Sequence, residues 1–303
     1  MINKIESFVS VVVVGTEKVN GFQEKICSMS QLLESKFRYW ELIFVDNGCP
    51  KEMLDAVESL SCKTTIVKMA RKHKMTQALQ AGLDCAIGDY VYEFEDYNVD
   101  LDGDILIQMY QRCQEGYDFV FCHPKQTNMM SRLFYMSLNR YFGKNSSDPY
   151  FSTSSVCILS SRRGQNRVEG LNKRIVNRSL SYSLSGLKTS YLTCDCDYRN
   201  RRGALQNLSL MLDSYIYYTN IIVAVLTTIA MVFLMCSMGM GLYSLISYMT
   251  ETVVEGWTST MLYMSIGFAG MFSILALISK YLDHILKAAM DEKEYVYTDI
   301  AKR

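Results

Sequence analysis

Residues 70–100 read ARKHKMTQALQAGLDCAIGDYVYEFEDYNVD. A basic turn, Arg71-Lys72-His73-Lys74, opens the stretch. From Met75 to Ala86 the small and apolar residues Ala78, Leu79, Gly82, Leu83 and Ala86 share one face of a helix. Gly88-Asp89 punctuates, and Tyr90 to Glu95 alternates like a strand before running into Asp96, Asn98 and Asp100. A helix that starts in bases and a strand that ends in acids sit side by side in the chain.

The pattern repeats on either side. Upstream, SFVSVVVVGTE (7–17), WELIFVDNG (40–48) and TTIVKMA (64–70) are short β-branched runs, as in strands buried on both faces. Helical spacing fills the gaps at 19–35 and 51–60. Downstream, a helix at 104–115 precedes the strand YDFVFC (117–122). Strands alternating with helices predict an α/β fold with a Rossmann-like, mostly parallel sheet. In such sheets ligands bind beyond the carboxyl ends of the strands. Glu17, Asp46, Asn47, Arg71 and Asp96 all stand at those ends. Acids there can orient sugar hydroxyls or hold a hard cation, and bases can neutralise a diphosphate. Each alone has a plainer reading: Asp46 as a helix cap, 71–74 as a solvated turn.

The C-terminal third differs. Residues 214–250 and 256–279 contain no Asp, Glu, Lys, Arg or His. About 20 apolar residues cross a bilayer, so two transmembrane helices are expected at about 221–243 and 257–279. Arg199, Arg201 and Arg202 precede them, Lys280 and Lys287 follow, and the link carries only Glu251 and Glu255. The positive-inside rule places the N-terminal domain and the C-terminus in the cytoplasm of a multi-pass membrane protein. The expected layout is a domain at 1–200, a juxtamembrane amphipathic segment at 201–220, the spans within 221–279, and a cytoplasmic tail at 280–303. No signal peptide is read at the N-terminus. Lys+Arg and Asp+Glu balance at 31 each, which argues against nucleic acid as a partner. Ten scattered cysteines read as reduced thiols, with Cys194 and Cys196 the nearest pair. Two more segments, 131–144 with Arg132 and 205–216 after Arg199 and Arg202, have apolar stripes and read as interfacial helices or as core-facing ones.

Four segments together resemble the inverting family-2 glycosyltransferases of GT-A fold, specifically the membrane-anchored polyprenyl-phosphate type (dolichol-phosphate mannose synthase and bactoprenol glucosyltransferase). VSVVVVGTE resembles that family's first strand and nucleotide loop. ELIFVDNGCP resembles its strand ending Asp-Asp-Gly-Ser. The stretch at 70–100 is similar to its Arg-Asn-x-Gly turn, Ala-Leu-x-Ala-Gly-Leu helix, Gly-Asp and Asp-x-Asp strand. The resemblance implies transfer of a sugar from a nucleotide sugar to a polyprenyl (undecaprenyl) phosphate, with Mg²⁺ or Mn²⁺ as cofactor. It also implies contact with membrane lipid, and a homo-oligomer, as members of this build are often oligomeric. Nucleotide-sugar contacts fall on Glu17, Asp46, Asn47, Arg71 and Asp96, and lipid-phosphate contacts on Arg132, Arg199 and Arg202.

The chain departs from the pattern in places. Asp-Asp-Gly-Ser is Asp46-Asn47-Gly48-Cys49, and Lys72 and Lys74 stand in the Arg-Asn-x-Gly element. The Asp-x-Asp fits in two registers. Without a gap it is Glu95-Asp96-Tyr97; with one extra residue it is Asp96-Tyr97-Asn98. The second register gives a metal set of Asp96, Asn98 and Asp100, with Asp96 catalytic. The family's acid near 151–163 is replaced by Ser154 and Ser155, leaving Asp148 as the nearest catalytic acid. These departures motivate an alternative reading, a catalytically degenerate GT-A membrane subunit that binds or scaffolds. A processive synthase is a third; its Gln-x-x-Arg-Trp motif is absent.

Overall fold

The computed structural model describes residues 4–17, 19–94, 97, 103–125, 129–143, 155–171, 175–196, 204–219 and 297–302, with scattered positions between 225 and 285. Two compact units emerge: residues 1–202 with 293–303, and residues 203–292.

The first unit is built on one eight-stranded sheet. Its strands are β1 (Ile5–Gly15), β2 (Phe37–Asp46), β3 (Thr64–Met69), β4 (Tyr90–Phe94), β5 (Phe119–Pro124), β6 (Cys157–Ser161), β7 (Thr189–Cys194) and β8 (Tyr297–Lys302). They lie in the order β7-β5-β6-β4-β1-β2-β3-β8. The central four, β4-β1-β2-β3, are mutually parallel. Strand β6 runs antiparallel between β4 and β5, and β8 is antiparallel on the β3 edge. The mostly parallel sheet is thus present, with two reversed strands the sequence reading does not place.

Alternation along β1 divides the core. Val9, Val11 and Val13 face one side, with Phe22, Ile26 and Leu33 of α1 (Phe22–Lys36) and residues of α2 (Lys51–Glu58) and α4 (Gly103–Gln114). Val12 and Val14 face the other, against Ala78, Leu79 and Leu83 of α3 (Met75–Cys85). The Val run at 11–14 is therefore apolar at every position because both faces are covered. Gly82 sits where α3 meets the sheet: a Cβ there would lie 2.5 Å from Val12 Cγ1 and 2.7 Å from Val45 Cγ2. Only a bare Cα lets the helix approach so closely.

Residues 280–303 are expected as a tail, but 297–302 form β8, pairing Ile300 with Val67 and Asp299 with Lys68. The remaining helices of the first unit are α5 (Met129–Phe142), α6 (Arg162–Leu171) and α7 (Arg178–Ser183); α8 (Ala204–Tyr218) lies in the second. Most of 221–243 and 257–279 lies outside the described residues. Among the described residues no helix is long and apolar enough to cross a membrane. The described cysteines are free thiols.

Candidate active site

Strand register assembles the site. Gly15 of β1 pairs with Asp46 of β2, Asp46 with Lys68 of β3, and Val13 with Phe94 of β4. Four carboxyl ends therefore finish along one edge, as the sequence predicts. Exposed Glu17 follows β1, half-buried Asp46 closes β2, and exposed Arg71, Lys72 and Lys74 follow β3.

Asp46 organises its own loop. Its Oδ1 accepts from the backbone N–H groups of Gly48 and Cys49, both at 3.1 Å. Gly48 has φ +86°, which a residue with a Cβ adopts at a cost. A carboxylate has further lone pairs, so this turn leaves Asp46 acceptor capacity for a hydroxyl. Burial, with the Asp46 charge beside it, pushes the Cys49 thiol up to about 12. Cys49 is thus a neutral filler at neutral pH.

Asn47, expected to face a nucleotide, is fully buried. Its Nδ2 donates to the His73 carbonyl at 3.0 Å, and its Oδ1 accepts from the His73 N–H at 2.8 Å. Its own N–H donates to Gly15 O at 2.9 Å. One step on, the Lys74 N–H donates to Gln77 Oε1 at 3.2 Å, capping α3. The basic turn therefore has two fixed backbone points and leads into a helix N-terminus. Cationic side chains and the positive end of α3 together favour an anion there.

Tyr97 bears on the two registers of the acidic strand end. It is buried, its ring edge-on to Phe22 (5.9 Å) and Phe94 (5.2 Å), and its Oη donates to Lys25 O at 3.1 Å. A tyrosine held this way is core, not a cation ligand. In the register Asp96-Tyr97-Asn98 this tyrosine is the spacer; in the ungapped register it would stand in a ligand position. Asp96, Asn98, Asp100, Asp148, Arg199 and Arg202 lie outside the described residues. Among the described residues no three His, Cys, Asp or Glu side chains converge on a metal position.

The Gly88-Asp89 pair proves structural. Gly88 packs on the Ser10 backbone, where a Cβ would meet nitrogen at 2.6 Å. Asp89 pairs with Phe8: N–H to Phe8 O at 2.7 Å, and Oδ2 accepting from Phe8 N at 3.1 Å. The Arg162 guanidinium closes the corner on the carbonyls of Ala86 and Gly88.

Arg132 is exposed on α5, whose Phe134, Tyr135 and Leu138 are buried while Met129, Leu133 and Met136 are exposed at 79, 50 and 58%. The helix thus has a core face and a second, uncovered apolar row at helical spacing. Arg140 is exposed on the same helix. In α8, Leu208 and Leu212 are exposed.

Comparison with known proteins accords with the layout. Residues 26–171 match the family model described as Glycosyl transferase family 2. No curated protein sequence matches. Among solved structures, a mannosyltransferase from Pyrobaculum calidifontis in complex with GDP-Man and Mn²⁺ is similar at TM-score 0.50 and 14% identity, covering 89% of this chain and 88% of its own. Glucosyl-3-phosphoglycerate synthase of M. tuberculosis is similar at TM-score 0.49 and 13% identity, over 69% of this chain and 78% of its own. Mannosyl-3-phosphoglycerate synthase from Rubrobacter xylanophilus is similar at 0.47 and 14%, over 69% and 72%.

Proposed function

We infer, from the glycosyl transferase family 2 domain that spans residues 26–171, that this protein is a membrane-bound inverting transferase moving a sugar from a nucleotide sugar to a polyprenyl phosphate. One observation carries the membrane part. The chain leaves the sheet unit after Arg202 and returns to it from Lys293, with β8 on the edge of β3. Any bilayer crossings in the stretch between them therefore come in an even number. The two charge-free stretches, 214–250 and 256–279, supply such a pair. The exposed apolar row of α5, with Arg132 and Arg140 on the same helix, suits contact with a lipid surface. In this reading the donor domain lies on the cytoplasmic face of the inner membrane, and a homo-oligomer is compatible with it.

The chemistry follows from what the donor edge holds. Arg71, Lys72 and the N-terminus of α3 draw the diphosphate of the donor. Glu17 and the free acceptor capacity of Asp46 hold hydroxyls of the nucleotide sugar. An acceptor phosphate oxygen bonds to the anomeric carbon from the face opposite the leaving nucleoside diphosphate, so the centre inverts. That oxygen is already anionic near neutral pH and needs placement more than a base; Arg132, Arg199 and Arg202 are proposed to place it, with Asp148 as any assisting acid. Asp96, Asn98 and Asp100 offer hard oxygen donors suited to Mg²⁺ or Mn²⁺, with Asn98 the weakest. A cation held there would offset charge growing on the leaving diphosphate.

Calorimetry with UDP- and GDP-sugars tests the donor edge. Wild type binds one of them more tightly with Mn²⁺, Asp96→Ala loses that gain, and Tyr97→Phe keeps it. A loss in Tyr97→Phe as large as or larger than that in Asp96→Ala would return the ungapped register. No binding by wild type would return the degenerate-subunit reading.

A further inference from the structure

We propose that Asn47 is a positioning residue: it holds the basic loop 71–74 in the shape that receives the donor diphosphate, and touches no ligand itself. The inference rests on the donor-site reading above. The Asn47 side chain is fully buried, so a ligand at the strand edge cannot reach it without rearrangement. Its amide is matched group for group to one residue, donating to the His73 carbonyl at 3.0 Å and accepting from the His73 N–H at 2.8 Å. Through its own N–H on Gly15 O it also ties the ends of β1 and β2 to this loop. Arg71 and Lys72 project from the pinned segment and are exposed. A loop fixed before the ligand arrives loses less freedom on binding.

Only an amide fits this position at neutral pH. A carboxylate accepts but cannot donate, so an ionised Asp would set an oxygen against the His73 carbonyl. A protonated Asp regains one donor and one acceptor and restores the pair. The residue of the Asp-Asp-Gly-Ser element that reads as eroded is then matched to its partner. Asn47→Asp should be defective at neutral pH and rescued by acid.

The test is nucleotide-diphosphate binding by calorimetry between pH 5 and 8, on the full-length protein with UDP and GDP. Charged and titratable neighbours are Asp46 and Cys49 on the same loop, Glu17 after β1, Lys68 in β3, and Arg71, Lys72, His73 and Lys74. Any pH dependence of the site itself is common to both proteins, so the ratio of wild type to variant is the quantity read. That ratio should be at least tenfold at pH 8 and shrink steadily towards pH 5. A ratio near one at pH 8, or one that does not change with pH, overturns the proposal and leaves the donor site intact. If wild type binds no nucleotide, the donor-site reading fails and the proposal with it. Hydrogen exchange on wild type alone gives a check that needs no variant. The His73 amide should exchange slowly without nucleotide; fast exchange there overturns the pinned loop.

Discussion

Arg178 Nη1 donates to Glu93 Oε2 at 3.1 Å, and neither side chain is open to solvent. The pair is 85 residues apart in sequence and joins α7 to β4. Around it, Tyr182 Oη (2.6 Å) and Ser160 Oγ (2.9 Å) donate to Glu93 Oε1, and Arg178 Nη2 donates to Gln80 Oε1 of α3 at 2.8 Å. Burial pushes the Glu93 carboxyl up, while the Arg178 charge and the hydrogen bonds pull it back. Removing one partner strands a charge in the core, which costs about 3–5 kcal/mol. Arg178→Ala should lower stability by that much in chemical denaturation of the detergent-solubilised protein. A loss below about 1 kcal/mol would mean that water reaches Glu93.

Gly82→Ala sets two effects against each other. Helix propensity favours alanine by about 1 kcal/mol. The new methyl meets Val12 and Val45 side chains at 2.5 and 2.7 Å, and such overpacking costs about 1–3 kcal/mol. Packing should win, so the variant melts below wild type. A higher melting temperature would show that α3 can slide outward.

Asp118 gives a pH signature. Burial alone would raise its carboxyl, but hydrogen bonds from Arg163 and Ser161 and the charges of Arg163 and Lys188 hold it below the usual carboxylate range. Arg163 Nε and Ser161 Oγ donate at 2.9 and 2.8 Å. A carboxyl lowered in the folded state contributes stability above its unfolded value near 3.8, and that contribution is lost as pH falls towards the folded value. Asp118→Asn removes this component. In acid titrations followed by circular dichroism, wild type should lose stability more steeply than the variant below about pH 4. The Arg163 side chain is 72% exposed, so the effect is screened and modest.

The β8 pairing predicts topology. A thiol reagent confined to the outside should modify a cysteine introduced at Glu251 and spare one at Lys293. Labelling at Lys293 would put the sheet unit outside and contradict its cytoplasmic placement.

These relationships show what the sequence could and could not disclose. The Val run at 11–14, the Gly82 face and the strand-end acids are local patterns, and each predicted its element. Strand β8 was hidden because its partner β3 lies over 200 residues upstream, and nothing local marks an edge strand. The reversal of β6 was equally silent, since direction follows from pairing. Glu93 lies inside the strand pattern and nothing local marks its partner; α7 brings Arg178 onto it. Asn47 read as a weakened ligand because its partner is backbone, which no side-chain motif records.

The central claim is sugar transfer to a lipid phosphate. Purified protein with Mn²⁺ or Mg²⁺, a panel of labelled nucleotide sugars and undecaprenyl phosphate tests it directly. The account predicts that label from one donor moves into the lipid phase, and that the step requires both the divalent cation and the acceptor phosphate. Nucleotide binding with no labelled lipid from any donor would contradict it.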